Sequence, residues 1–255
     1  ARSRAHAGEL IDAGRVSVRG SVARKAATAV EPGAAVHLAE DTAEQNWASR
    51  GAHKLLGALE MFVPLGLGVS GRRCLDAGAS TGGFTDVLLR HGAASVVAAD
   101  VGRGLLVWRL QTDERVILKD RTNVRYLAPT EIGGGVDLIV ADLSFISLPL
   151  VLPALRSCMN QGADLVPMIK PQFEVGKAMV GSGGVVRDPH VRAQAVHEVI
   201  DSAAGLGLAP VAVLASPLPG PAGNVEFFAW LREGPPLRQD LIREMVATAI
   251  AKGPQ

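Results

Sequence analysis

Three ionisable side chains stand where an apolar run would ordinarily continue. Ile139-Val140-Ala141 ends on Asp142, Val166-Pro167-Met168-Ile169 ends on Lys170, and Glu226 opens onto Phe227-Phe228. A charge beside an apolar strand is costly unless it is paired or used, so these ends are candidates for chemistry. A further string, Arg50-Gly51-Ala52-His53-Lys54-Leu55, lies ahead of them. Two more acids obey the same rule. Asp76 opens Asp76-Ala77-Gly78-Ala79-Ser80-Thr81-Gly82-Gly83-Phe84, and Asp100 ends Val96-Val97-Ala98-Ala99.

The glycines of 78–83 let the backbone approach a bound ligand, and the helix they open offers unpaired N–H groups. The run lacks the Gly-x-Gly-x-x-Gly spacing of a dinucleotide site, and no Gly-Lys-Ser/Thr follows as in a phosphate loop. Asp76 suits a ligand with an ammonium group, such as the methionine end of S-adenosylmethionine. Asp100 suits a ribose diol gripped by two hydrogen bonds. Asp120-Arg121-Thr122-Asn123 closes a third strand and reads equally as an adenine edge or a plain turn. The candidate cofactor set is therefore Asp76, Gly78, Ala79, Ser80, Thr81, Gly82, Gly83, Phe84, Asp100, Asp120, Arg121, Thr122, Asn123 and Asp142. The acceptor is narrowed by absences. No Asn/Asp-Pro-Pro-Tyr/Phe follows the fourth strand, as amino-methylating enzymes of nucleic acids usually have. Neither Cys74 nor Cys158 follows a proline, as carbon-methylating cytosine enzymes need.

Such residues must be brought side by side by the elements that carry them. From residue 72 onward, apolar runs alternate with helical patterns, which predicts a mainly parallel sheet with helices on both faces. Strands are expected at 73–77, 95–99, 115–118, 136–141, 163–169, 210–215 and 225–231. Helices are expected at 81–91, 148–158, 189–206 and 237–251, with Asp188-Pro189 capping the third. The last two strands are joined by a loop rather than a helix. Residues 175–188 are glycine-rich and carry Lys177 and Arg187, which reads as a lid over a substrate or as a surface loop.

Bulk properties exclude several classes. With 48% hydrophobic and 20% charged residues the 255-residue chain has an ordinary globular balance, and a net charge of +1 gives no strong global field. Residues 136–155 catch a hydropathy scan, but Asp137, Asp142, Pro149 and Pro153 argue for a buried strand and helix over a membrane span. No transmembrane segment and no signal peptide are expected. The two cysteines have no metal-ligand spacing, so no metal is expected, and two reduced thiols in a cytoplasmic protein are the better reading.

The first 46 residues differ in charge from the rest. Arg2, Arg4, Arg15, Arg19, Arg24 and Lys25 face two acids within residues 1–30, whereas 31–46 hold acids only. A helix over Ser3–Ala13 stopping at Gly14, a hairpin of Val16, Val18 and Val22 around Arg19-Gly20, and a strand at Val36–Leu38 are expected. The pattern Arg-Ser-Arg-Ala-x-x-x-x-Leu-Ile-x-x-Gly-x-Val-x-Val-x-Gly resembles the RNA-binding domain named after ribosomal protein S-four, over roughly residues 1–45. That resemblance implies an RNA-binding set of Arg2, Arg4, Arg15, Arg19, Arg24 and Lys25, which neutralise phosphates without reading sequence. The alternative is a solvated basic helix with no partner. Residues 45–50, holding Trp47, read as a linker.

Lys54, Asp142, Lys170 and Glu226 match the Lys-Asp-Lys-Glu tetrad of FtsJ-like ribose 2′-O-methyltransferases. The strings at 49–55, 75–85, 141–147, 170–177 and 216–221 are closer still to the bacterial TlyA family, known both as haemolysins and as rRNA 2′-O-methyltransferases, and this similarity spans the whole chain. Two departures stand out: Gln45-Asn46-Trp47-Ala48 keeps only the Trp of the family linker, and Arg103 occupies a position where Tyr is common. The resemblance implies a class I methyltransferase fold, a Rossmann-like α/β domain with a seven-stranded, mostly parallel sheet. That domain would occupy residues 51–255, after a small α+β RNA-binding domain at 1–44. It further implies an enzyme using S-adenosyl-L-methionine on the ribose of 16S and/or 23S rRNA, as free rRNA or in ribosomal subunits, with no membrane partner. Lys170 is the general base of this reading, with burial and Lys54 disfavouring its charge and Asp142 and Glu226 orienting the two lysines. The same four residues also read as two ordinary lysine–carboxylate ion pairs. At the level of the chain, the competing readings are a membrane-active haemolysin and an RNA-binding scaffold with an idle cofactor site.

Overall fold

The computed structural model describes residues 7–8, 10–11, 14–31, 33–39, 47–176 and 179–253. Internal contacts divide the chain into two units, Ala1–Asn46 and Trp47–Gln255.

In the first unit Ala7, Gly8, Leu10 and Ile11 are helical, and Gly14 closes this stretch at φ +68° with its N–H donating to the Ile11 carbonyl at 2.9 Å. Strands β1 (Val16–Val18), β2 (Ser21–Val22) and β3 (Val36–Leu38) form an antiparallel sheet in the order β2-β1-β3. Arg19 and Gly20 both adopt positive φ, 51° and 82°, which a two-residue hairpin needs if its twist is to match the strands. Arg2, Arg4 and most of the helix expected over Ser3–Ala13 lie outside the described residues.

The second unit is a seven-stranded sheet covered on both faces. It contains α1 (Ala52–Phe62), β4 (Arg73–Ala77), α2 (Gly83–Arg90), β5 (Ser95–Ala99), α3 (Trp108–Gln111), β6 (Val116–Lys119) and β7 (Val136–Ala141). There follow α4 (Leu152–Ser157), β8 (Met159–Ile169), α5 (Pro171–Glu174), α6 (Pro189–Ala204), β9 (Leu208–Ala215), β10 (Phe227–Glu233) and α7 (Gln239–Ala251). The strand order is β6-β5-β4-β7-β8-β10-β9, with β10 antiparallel to both neighbours and the remaining pairs parallel. This is the expected class I arrangement, including a helix-free connection between β9 and β10.

Alternation along each strand feeds two cores. Leu75, Val97, Ile139 and Leu165 pack with Leu155 of α4, Val199 of α6 and Val246 of α7. Cys74, Val96, Val140 and Trp230 pack on the opposite face with Leu55 and Phe62 of α1 and Leu88 of α2. Both faces are buried, so the strands are apolar throughout. Helix α1 is absent from the sequence-based assignment, although Leu55, Ala58, Leu59 and Phe62 are all buried and fall on one helical face. The expected helix over 148–158 is split by Pro149 and Pro153 into a 3₁₀ turn at Leu148–Leu150 and α4. Strand β8 starts at Met159 rather than Ala163, because polar Asn160, Gln161 and Gly162 extend it beyond its apolar stretch.

Two buried carboxylates brace this frame. Asp86 on α2 accepts from the Ala48 N–H at 2.9 Å and from Arg109 at 2.8 Å, and it pairs with Arg90, whose guanidinium lies 4.2 Å from the Trp47 ring centroid. Trp47 and Ala48 of the expected linker are thereby fastened to α2, while Gln45 and Asn46 lie outside the described residues. Asp164 in β8 accepts from Trp230 Nε1 at 2.7 Å, Arg232 Nε at 2.7 Å and Arg72 at 2.5 Å. Burial alone would raise its carboxyl, but the hydrogen bonds from Arg232, Trp230 and Arg72 outweigh it and hold Asp164 below the usual carboxylate range. A group depressed in the fold stabilises it fully above its unfolded value and loses that contribution as pH falls through the folded one. Asp164→Ala should therefore cost about 3 kcal/mol at pH 7 in denaturant unfolding, since it strands two guanidinium groups and an indole N–H. The gap should narrow only below about pH 4.

Candidate active site

The turn after β4 is built by backbone conformation. Gly78 and Gly82 take φ of +89° and +98°, and Ser80 takes +47°. The Gly78 and Ala79 N–H groups donate to the Ala99 carbonyl at 2.8 and 3.1 Å, tying the turn to the end of β5. A Cβ at Gly78 would stand 2.5 Å from the Asp142 carbonyl oxygen, so only glycine lets these strand ends approach so closely. Beside the turn lies a cavity of about 400 Å³ lined by Asp100, Val101, Leu105, Thr122, Asn123 and Phe145 among others. A smaller one of about 200 Å³ is lined by Ser49, Gly51, Ala79, Thr81, Gly83 and Phe84. Gly78, Ser80 and Asp142 line both.

The acids of the turn differ in environment. Asp76 is fully buried behind the turn and itself lines neither cavity. Its Oδ2 accepts from Thr85 Oγ1 at 2.7 Å, whereas its buried Oδ1 has no partner among the described residues. Burial pushes its carboxyl up to about 7, with nearby Asp142 and Asp100 adding to the rise and the Thr85 hydrogen bond opposing it. An unpaired oxygen on such a group is a vacancy for a cationic donor. Asp100 accepts from the Ser80 N–H at 2.8 Å on one oxygen and the Gly102 N–H at 2.7 Å on the other. Each oxygen keeps a lone pair for a diol. Asp120 and Arg121 line neither cavity: Asp120 is spent on the Gly104 N–H at 2.9 Å, and Arg121 sits in a left-handed turn at φ +52°. The turn reading fits those two, while Thr122 and Asn123 face the cavity. Gly82 also lies off the cavities, its Cα packed against Leu106 and Leu110.

The lysines are held in pairs. Lys170, 7% exposed, places Nζ 2.6 Å from Asp142 Oδ1 and 3.0 Å from Ser144 Oγ. Lys54, 8% exposed on α1, places Nζ 2.5 Å from Glu226 Oε2. The β8–β10 register ends at Phe227↔Ile169, so Glu226 and Lys170 occupy the next position along adjacent strands. Residues 216–221 wrap Glu226: the Ser216 N–H donates to its carbonyl at 2.7 Å, and a Cβ on Gly220 would stand 2.7 Å from its Oε1. The Pro217 ring of the same loop fills the space beside Gly57 of α1. Burial pushes the Cys74 thiol up to about 12, which leaves it inert as a nucleophile.

Four contributors went unseen in the sequence. Ser49 lines the smaller cavity and Ser144 binds Lys170. Thr85 holds Asp76, and Glu174 accepts from Ser147 Oγ at 2.7 Å. Their types carry no signal, and only the quoted strings around Ser49, Thr85, Ser144 and Glu174 draw the eye to them. In the first unit, Arg19 is exposed and paired with Glu31 at 2.5 Å, Arg15 donates to the Ala39 carbonyl at 3.2 Å, and Arg24 and Lys25 are exposed. Of the glycine-rich stretch 175–188, Lys177 lies outside the described residues. Val186 is buried, its N–H donating to Asn224 Oδ1 at 2.9 Å, while Arg187 is exposed.

The profile of the FtsJ-like methyltransferase family matches residues 47–233. The chain is 57% identical over 256 residues to the 16S/23S rRNA (cytidine-2′-O)-methyltransferase TlyA of Mycobacterium tuberculosis, covering 100% of this chain and 94% of that one. It is 34% identical to the 23S rRNA (cytidine-2′-O)-methyltransferase TlyA of Campylobacter jejuni, covering 74% and 72%. A solved structure named as a hemolysin of Streptococcus thermophilus superposes with a TM-score of 0.79 at 35% identity, covering 99% and 92%.

The Asp76 environment makes a prediction with a definite sign. A carboxyl raised by the fold costs stability as pH climbs from its unfolded value near 4 through its folded value near 7. Asp76→Asn, which keeps an acceptor for Thr85, should raise the unfolding midpoint of the ligand-free protein. The gain in thermal melts should be larger at pH 8 than at pH 5.

Proposed function

This chain belongs to the FtsJ-like methyltransferase family, within its TlyA branch, and from that premise we propose that it methylates ribose 2′-hydroxyls of ribosomal RNA using S-adenosylmethionine. The observation that carries the reading is the pair of buried lysines, each held against one carboxylate, with the partner of Lys170, Asp142, lining the same cavity as Asp100. When bound, S-adenosylmethionine supplies an electrophilic methyl group on a positively charged sulfur. Asp76 Oδ1 would take its ammonium, Asp100 its ribose diol, and Thr122 and Asn123 the adenine edge. The unpaired Asp76 oxygen and the lone pairs left on Asp100 at the cavity wall support that fit.

A ribose hydroxyl is a poor nucleophile and must lose its proton as the methyl moves. Lys170 holds the position for that transfer. In its neutral form, Lys170 Nζ would accept the 2′-hydroxyl proton from the substrate. Lys54 is paired with Glu226, whose strand position faces that of Lys170, so it does not stand as the free second cation that the sequence reading placed beside Lys170. Ser144 accepts a hydrogen bond from Nζ, and Asp142 Oδ1 faces it as an ion pair without hydrogen-bond geometry. Exposed Phe145 offers an aromatic face at the mouth of the cavity, suited to an unpaired base.

For the substrate, the relatives named for 16S and 23S rRNA support ribosomal RNA as the target. We assign Arg2, Arg4, Arg15, Arg19, Arg24 and Lys25 to phosphate contact in an amino-terminal RNA-binding domain. Hemolysin-named relatives raise a membrane-active alternative, but no helix among the described residues is long and apolar enough to cross a membrane.

The test is transfer of labelled methyl groups from S-adenosylmethionine to rRNA by purified protein. Lys170→Ala should lower the rate roughly 100-fold or more while retaining cofactor binding in calorimetry, the loss expected for a missing general base. A folded Lys170→Ala protein with a near-normal rate would falsify the base assignment.

A further inference from the structure

Between β7 and α4 the chain runs along the larger cavity through Leu143, Ser144, Phe145 and Ile146. This segment holds an unusual conformation. Phe145 takes φ +63°, a region aromatic residues seldom enter, and the residue is 91% exposed. Strain of this kind persists only where surrounding contacts over-determine it. The exposed ring meets Phe173 on one side, and the rest of the constraint comes from its flanks.

The flanking contacts converge on one short stretch. Ser144 Oγ accepts from Lys170 Nζ at 3.0 Å, and the Phe145 and Phe173 ring centroids lie 5.2 Å apart. Glu174 accepts from Ser147 Oγ at 2.7 Å and from the Leu148 N–H at 3.1 Å on each of its oxygens. Lys170 and Glu174 are themselves joined by the single turn of α5, where the Phe173 N–H donates to the Lys170 carbonyl at 2.8 Å. Burial raises the Glu174 carboxyl above the ordinary range, Glu198 adds to the rise, and the bonds from Ser147 and Leu148 only partly oppose it.

Taking Lys170 as the base, we propose that Glu174 is a positioning residue: through Ser147 and Leu148 it locks the segment bearing Ser144 and Phe145 against the Lys170 strand end. It touches neither cofactor nor substrate. Its effect is on the distance between the Lys170 amine and the hydroxyl that approaches along this segment.

Methyl transfer to rRNA should be measured for wild type, Glu174→Ala, Glu174→Gln and Ser147→Ala, with cofactor affinity by calorimetry and thermal melts alongside. Glu174→Ala should lower kcat roughly 10- to 100-fold, the cost of misplacing a reacting group by about an ångström, with cofactor affinity unchanged. Glu174→Gln, which keeps an acceptor oxygen, should recover most of that loss, and Ser147→Ala should fall between them. Wild-type kcat in a folded Glu174→Ala protein overturns the proposal. So does a loss that tracks cofactor affinity or melting temperature, or a Gln variant no better than Ala. If Glu174→Ala does not fold, Ser147→Ala decides alone: unchanged kcat there overturns the proposal. A wild-type protein that methylates no ribose overturns this assignment together with that of Lys170. An active wild type with an unaffected Glu174→Ala overturns this one only.

Discussion

A lysine ammonium taken out of water must be paired, and this constraint organises the catalytic edge of the molecule. Lys54 and Lys170 are each nearly buried, and each is matched by one carboxylate at hydrogen-bonding distance. The partners come from distant parts of the chain: α1 with the start of β10, and the end of β8 with the end of β7. Removing a partner from such a pair leaves an uncompensated buried charge, which costs several kcal/mol. The sheet order that sets β7, β8 and β10 side by side is therefore also the order that lets both lysines exist where they are.

The cofactor side depends on the same edge by a different means. There the backbone does most of the shaping. Gly78 allows the first turn to close on the Asp142 carbonyl, and the Ala99 carbonyl receives two N–H groups from that turn. Asp142 lines both cavities and pairs with Lys170. One carboxylate thus sits between the place assigned to the methyl donor and the place assigned to the base. Asp86 adds a further tie, fastening Trp47 and Ala48 to α2 just ahead of Ser49 and Gly51 at the smaller cavity.

Much of this was legible in the sequence. Buried strands announce themselves as apolar runs, and a polar residue ending such a run marks the carboxyl edge, which is how Asp100, Asp142 and Lys170 stand out. Helix α1 did not, because its apolar face overlaps the string Gly51-Ala52-His53-Lys54-Leu55 that drew attention for its charge. The pairings were beyond reach for another reason. Lys54 and Glu226 are 172 residues apart, and Ser147 and Glu174 are 27 apart. Periodicity along a chain reports which face a side chain takes, not which distant side chain it meets. Asp164 shows the same limit, since nothing near it in the chain points to Arg72, Trp230 or Arg232.

The reading turns on one atom, the one that receives the methyl group. Ribosomal RNA treated with the purified protein and isotopically labelled S-adenosylmethionine, digested to nucleosides and separated by mass spectrometry, reads that atom directly. The account predicts label in 2′-O-methyl nucleosides, with the modified ribose resisting alkaline cleavage at its 3′ linkage. Label on a base, with the ribose unmodified, would contradict it.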